Sequence, residues 1–176
     1  MTKWNSNMPW QTDNYVLRCT EELFGMSKGS ENPMITLTYE VVSPEEIEIA
    51  GEATMVVGTR IVGYYTTMVL NGEGDLAEKT TKAQNRVREL YSLFGLDNTN
   101  INFENPVLGF KGKLVHARLY DDEQVKYNSP TSEDLKAGNK RGKPAVNPIT
   151  KQPLTQHYPK IECIFGLAEV ESGKAY

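Results

Sequence analysis

The feature that most limits what this chain can fold into is the alternation of apolar and polar side chains within residues 34–42, Met-Ile-Thr-Leu-Thr-Tyr-Glu-Val-Val. Because the alternation has a period of two residues, one face of a strand here carries Ile35, Leu37, Tyr39 and Val41. Similar β-favouring patterns recur in four other segments, at residues 14–20, 59–70, 114–120 and 160–170. The sequence therefore predicts a mainly β protein with five strands.

A helix is predicted over residues 78–94, between the third and fourth strands. Its apolar stripe follows helical spacing and ends before Gly95, a suitable residue just beyond a helix C-terminus; the stripe comprises Ala83, Val87, Leu90, Tyr91 and Phe94. Five strands with one helix in this position are typical of an OB-fold barrel. Periodicity alone leaves another small α+β barrel open. Gly63, inside the third strand, predicts a bulge or a barrel corner.

The length of 176 residues predicts a single domain. Residues 1–13 are expected to form an N-terminal extension. Residues 121–159 are polar and contain five prolines, so we expect a long loop before the last strand, of the kind that is either functional or mobile.

Charge is unevenly distributed along the chain. The net charge is −4, but residues 125–160 hold seven Lys or Arg against two acids, a local charge of +5 that leaves −9 for the remainder. Such a segment can approach phosphate even on an acidic body. The alternative interpretation is a solvated loop.

Several classes of function find no support in the sequence. No apolar run is long enough to span a membrane, and no secretory leader is evident. Cys19 and Cys163 are too far apart in sequence for a zinc motif, and we expect reduced core thiols. His116 and His157 are isolated, and no phosphate-binding loop or hydrolase motif occurs. We therefore expect a non-enzymatic protein of the cytoplasm, with no cofactor and no metal.

Three motifs resemble a family of short phage proteins. The loop from Ser27 to Met34 reads Ser-Lys-Gly-Ser-Glu-Asn-Pro-Met and leads into a strand ending in Glu40-Val41. The predicted helix ends in Leu-Tyr-Ser-Leu-Phe-Gly-Leu at residues 90–96, and residues 109–117 read Gly-Phe-Lys-Gly-Lys-Leu-Val-His-Ala. In this order the motifs resemble phage-encoded OB-fold single-stranded DNA-binding proteins. The stretch before the last strand is longer than in that family, and residues 169–176 lack an acidic tail.

The resemblance implies sequence-nonspecific binding of single-stranded DNA in phage replication or recombination, in the cytoplasm of the infected host cell. Such binding needs cations along the phosphates and aromatic rings under the bases. The candidate residues are Arg60, Tyr64, Tyr65, Lys111, Lys113, Arg118, Tyr120, Lys140, Arg141 and Lys143. By strand pleating, only one of Tyr64 and Tyr65 can face a ligand. Tyr39 is a further stacking candidate, and Tyr127 and Tyr158 are weaker ones.

Partners other than DNA are also considered. Phage replication or recombination proteins and a second copy of the chain are further candidates. The alternative function is a protein-interaction module, either a recombination accessory factor or an inhibitor of a host enzyme, which would use the same barrel. The acidic body of the molecule favours this alternative.

Overall fold

A computed structural model describes residues 2–168 of the chain. Eight strands and two helices follow one another. The strands are β1 (Thr2–Lys3), β2 (Asp13–Met26), β3 (Pro33–Ser43), β4 (Glu46–Ile49), β5 (Glu52–Met55), β6 (Arg60–Thr66), β7 (Leu114–Val125) and β8 (Thr155–Leu167), and the helices are α1 (Leu76–Leu93) and α2 (Ser132–Lys136). The mainly β class is confirmed.

The five long strands form one antiparallel sheet in the order β6-β3-β2-β7-β8. The alternation seen in the sequence decides which side chains face inward. On β3, Ile35, Leu37, Tyr39 and Val41 are fully buried, and β7 buries Val115, Ala117 and Leu119 while His116 and Tyr120 are exposed. Because a strand exposes alternate side chains on its two faces, the sheet has one core face and one outer face.

Helix α1 packs its apolar stripe onto this sheet. Val87, Leu90, Tyr91 and Phe94 are buried, as predicted. Asp75 caps the N-terminus by accepting a hydrogen bond from the Glu78 N–H. At the other end Gly95 has φ +70, and the Leu96 N–H donates to the Tyr91 carbonyl at 2.8 Å. This is the reversal that glycine allows after a last helical turn.

A second, three-stranded sheet in the order β1-β5-β4 was not predicted. Strands β4 and β5 lie within the connection between β3 and β6, and β1 of the N-terminal segment pairs with β5. Beyond β1, the Trp10 ring is 3% exposed and packs 5.3 Å from the Tyr15 ring, centroid to centroid. The segment 1–13, where described, therefore contributes to the core.

Several details of the predicted barrel are wrong. The chain has eight described strands and not five, and α1 follows the sixth strand along the chain because β1, β4 and β5 precede it. Within the described residues, hydrogen-bonded pairing does not join β6 to β8, so the sheet does not close into a barrel. β7 and β8 extend into the predicted loop, which leaves residues 126–154 to connect them, with α2 inside this connection.

The bulge expected at Gly63 and the burial expected of Cys163 are also wrong. Gly63 causes no bulge, since β6 pairs with β3 in continuous register from Arg60 to Thr66. Cys163 is exposed, because on β8 it lies opposite Arg118, whose side chain points to the outer face; only Cys19 is a buried thiol.

Candidate functional site

The edge strands β6 and β8 lie beside each other without pairing and leave a cleft between them. This cleft has a volume of about 490 Å³. Strand β6 lines one side of it with Val62, Tyr64 and Tyr65, and β8 lines the other with Lys160 and Ile164. Strand β7 adds Tyr120, and helix α1 adds Arg86 and Glu89. The topology thus brings three predicted site residues, Tyr64, Tyr65 and Tyr120, to one depression.

Tyr64 and Tyr65 face opposite ways, as pleating predicts. The Tyr64 side chain is 60% exposed. The Tyr65 ring turns inward, where its hydroxyl lies 3.1 Å from that of the fully buried Tyr39. Burial raises the pKa of Tyr65, and the hydrogen bond with Tyr39 and the nearby Arg86 guanidinium partly offset this rise. Tyr64 is therefore the ring available to a ligand, and Tyr39 is not.

Two further depressions follow from the cleft, one beside the other. The first shares Tyr64 and Lys160 with it and adds Arg60, Gln124 and Tyr158. The next shares Gln124 with the first and adds Tyr127 and Arg141, whose guanidinium lies 5.0 Å from the Tyr127 ring centroid. We call the three together the groove. Each part offers at least one exposed tyrosine and at least one arginine.

Several predicted cations are already paired with carboxylates. Arg118 Nε lies 2.9 Å from Glu162 Oε2, and an Arg60 nitrogen lies 3.4 Å from a Glu21 oxygen. Lys160, which the sequence analysis did not select, is 3.9 Å from Asp122. These neighbours reduce the positive charge of the groove.

The basic arm at residues 140–143 is folded against the chain that leaves β7. The Gly142 N–H donates to the Asn128 carbonyl, and the Asn128 N–H donates to the Lys143 carbonyl. A Cβ on Gly142 would lie 2.3 Å from the Asn128 carbonyl oxygen, so only glycine allows this approach. Arg141 reaches the groove as a result, whereas Lys140 and Lys143 are exposed beside it and do not line it.

Lys111 and Lys113 lie far from the arm. They precede β7, near the Cys19 and Glu22 end of β2, since the Cys19 N–H donates to the Lys113 carbonyl. The arm follows the opposite end of β7, and 12 strand residues span about 40 Å at about 3.3 Å each. The structure therefore does not bring these two lysines together with the arm.

Sequence reasoning missed Arg86 as well as Lys160, and it gave Tyr158 too little weight. Arg86 was not among the predicted site residues, and Tyr158 was a weaker candidate than the strand tyrosines. The available signal for Arg86 was its place one residue from the buried Val87, near the edge of the apolar stripe. The signal for Tyr158 was its position just before the predicted last strand.

Within residues 2–168, no group of three or more His, Cys, Asp or Glu side chains is placed to hold a metal ion. None of the helices in this range is long and apolar enough to cross a membrane.

Comparison with known proteins gives no assignment: no family model, no curated protein and no solved structure matches this chain.

Proposed function

We propose that this protein binds single-stranded nucleic acid, with DNA as the expected ligand, along the groove between β6, β8 and the arm. The observation that carries the proposal is that each of the three depressions holds an exposed tyrosine and an arginine: Tyr64 and Arg86, Tyr158 and Arg60, and Tyr127 and Arg141. Aromatic rings stack on any base and cations hold the backbone, so this pattern suits binding without sequence preference.

The strand order supports an OB-fold interpretation of the same sheet. In that fold the first strand pairs with the second and the fourth, and the fifth lies between the fourth and the third. Here β2 pairs with β3 and β7, β8 pairs with β7, and β6 runs beside β8. We therefore propose a partly open OB-fold barrel whose ligand-binding surface includes its unpaired seam. A place in phage replication or recombination, in the host cytoplasm, rests on the sequence resemblance.

The experiment is a fluorescence anisotropy titration of the full chain with labelled oligonucleotides. One set is single-stranded, of mixed sequence and of deoxythymidine alone, and the other is duplex. Each is measured at two salt concentrations. We expect tighter binding to both single strands than to the duplex, similar affinity for the two sequences, and weaker binding at higher salt, because phosphate contacts release counterions. Equal affinity for duplex, or no binding, would refute the proposal.

One observation favours the second candidate, a protein-interaction module. Leu23 on β2 and Tyr64 on β6 are 65% and 60% exposed, and they lie in the same cross-strand row through Thr36. Exposed apolar side chains grouped on one face are typical of protein contacts. A pull-down that keeps a protein partner after nuclease treatment, together with no oligonucleotide binding, would support this candidate.

A further inference from the structure

We propose that Arg86 of α1 anchors a backbone phosphate at the helix end of the groove. This inference rests on the proposed function and specifies where the strand is held. The predicted cations were placed on strands and on the arm, whereas this one comes from a helix.

The position of Arg86 puts its charge inside the cleft. Its side chain lines the cleft together with Tyr64 and Tyr120. Its guanidinium is also close enough to the Tyr65 hydroxyl to lower the pKa of that group against the effect of burial. If Arg86 held a phosphate, the base of the same nucleotide would therefore lie next to exposed aromatic rings, which is the geometry that stacking requires.

Arg86 also differs from its neighbours in charge balance. Arg60 and Lys160, which line the groove as well, each have a carboxylate nearby, Glu21 and Asp122 respectively. Among residues 2–168, no ion pair involves Arg86. Since a cation that already has a carboxylate partner gains less from a phosphate, Arg86 is the better anchor at this end, and Arg141 holds the equivalent place at the arm.

Two acids line the same cleft, but Glu162 is paired with Arg118, so Glu89 is the acid that opposes this role. Glu89 lies one turn further along α1 and lines the same cleft. Its carboxylate would repel a phosphate bound at Arg86. The pair therefore makes two opposite predictions for neighbouring positions, which a general loss of helix stability would not produce.

The test compares four forms of the full chain, wild type, Arg86→Gln, Arg88→Gln and Glu89→Gln, by anisotropy titration with a labelled mixed-sequence single-stranded DNA over a series of salt concentrations. Arg88 is the matched control, because it is an exposed arginine of the same helix whose guanidinium lies over Phe103 outside the groove. We expect Arg86→Gln to weaken binding and to make the slope of log affinity against log salt shallower by about 0.7, the value for one phosphate contact on a single strand. Arg88→Gln should keep the wild-type slope, and Glu89→Gln should bind more tightly.

The outcomes separate this inference from the proposed function. If the wild type binds and Arg86→Gln keeps its slope, the anchor is refuted while single-strand binding stands. Equal losses in Arg86→Gln and Arg88→Gln would also refute it, because the effect would then be one of net charge. If the wild type does not bind single strands at all, the proposed function itself fails. A fifth form, Arg86→Lys, keeps the charge, so recovery of the slope in that variant would support the anchor.

Discussion

The hydroxyl oxygens of Tyr39 and Tyr65 lie 3.1 Å apart, and this hydrogen bond holds the Tyr65 ring against the core while its neighbour Tyr64 faces the groove. Gly63 makes room for this arrangement. A Cβ on Gly63 would lie 2.6 Å from the Tyr65 hydroxyl. The glycine is thus explained by a side chain two residues away on the same strand.

Gly63→Ala should destabilise the protein. The added methyl group would displace the Tyr65 ring, and overpacking of this kind costs about 1–3 kcal/mol. Chemical denaturation measures the free energy of unfolding. Gly25→Ala is the control, since a Cβ there meets nothing within 4 Å. Equal stability of the two variants would contradict the proposed role of Gly63.

Tyr65→Phe should also lower the free energy of unfolding. The substitution leaves the Tyr39 hydroxyl buried without its partner, which costs about 1–3 kcal/mol. Tyr64→Phe removes an exposed hydroxyl from the adjacent residue and serves as the control. We expect its free energy of unfolding to equal that of the wild type in the same denaturation experiment.

Asp121 of β7 connects the N-terminal segment to strands β7 and β8 through two side-chain contacts. Its Oδ1 accepts a hydrogen bond from the Trp10 N–H at 3.1 Å, and its Oδ2 lies 2.9 Å from His157 Nδ1. Asp121→Ala should release Trp10 and cost about 1–3 kcal/mol. Both tryptophans of the chain lie in this segment, so a red shift of tryptophan emission would report the release. Asp122→Ala should leave the emission unchanged, and a normal spectrum for Asp121→Ala would argue against the contact.

Stability should fall in alkaline solution. Burial raises the pKa of the Cys19 thiol from 9.0 to about 11, and burial raises the pKa of Tyr39 well above 10.0. For both groups the pKa in the folded state exceeds the pKa in the unfolded state. Their contribution to the free energy of unfolding is therefore fully present below about pH 9. Above that pH the unfolded chain loses protons that the folded chain retains, and each group removes up to about 1.4 kcal/mol per pH unit.

Cysteine variants isolate the thiol contribution. Between pH 9 and pH 11, Cys19→Ala should lose less stability than the wild type, as measured by denaturation at each pH. Cys163→Ala, which removes an exposed thiol, should follow the wild-type curve. Identical pH profiles for the wild type and Cys19→Ala would contradict this explanation.

The sequence predicted the parts of the fold that depend on local periodicity. The alternation on β3 and β7 and the stripe on α1 each matched one buried face, and Gly95 ended the helix as expected. The small sheet was missed because β4 and β5 have four residues each and β1 has two. Strands this short show little alternation, and the pairing of β1 with β5, across about 50 residues, is not encoded locally.

The site was harder to predict for the same reason. Pleating correctly separated Tyr64 from Tyr65, because it is a local rule. The positions of Arg86 and Lys160 in the cleft depend on how α1 and β8 pack beside β6, and the neutralisation of Arg118 by Glu162 depends on the register of β7 and β8. No spacing along the chain contains this information.

The central claim is that exposed aromatic rings of the groove hold single-stranded nucleic acid, and Tyr64→Ala tests it most directly. Phe165→Ala is the matched control, an aromatic side chain on β8 that is 55% exposed and does not line the groove. The measurement is the dissociation constant for a single-stranded oligonucleotide at fixed salt. We expect Tyr64→Ala to weaken binding by about 1–3 kcal/mol, the value of one stacked base, and Phe165→Ala to bind like the wild type. Wild-type affinity in Tyr64→Ala would contradict the account.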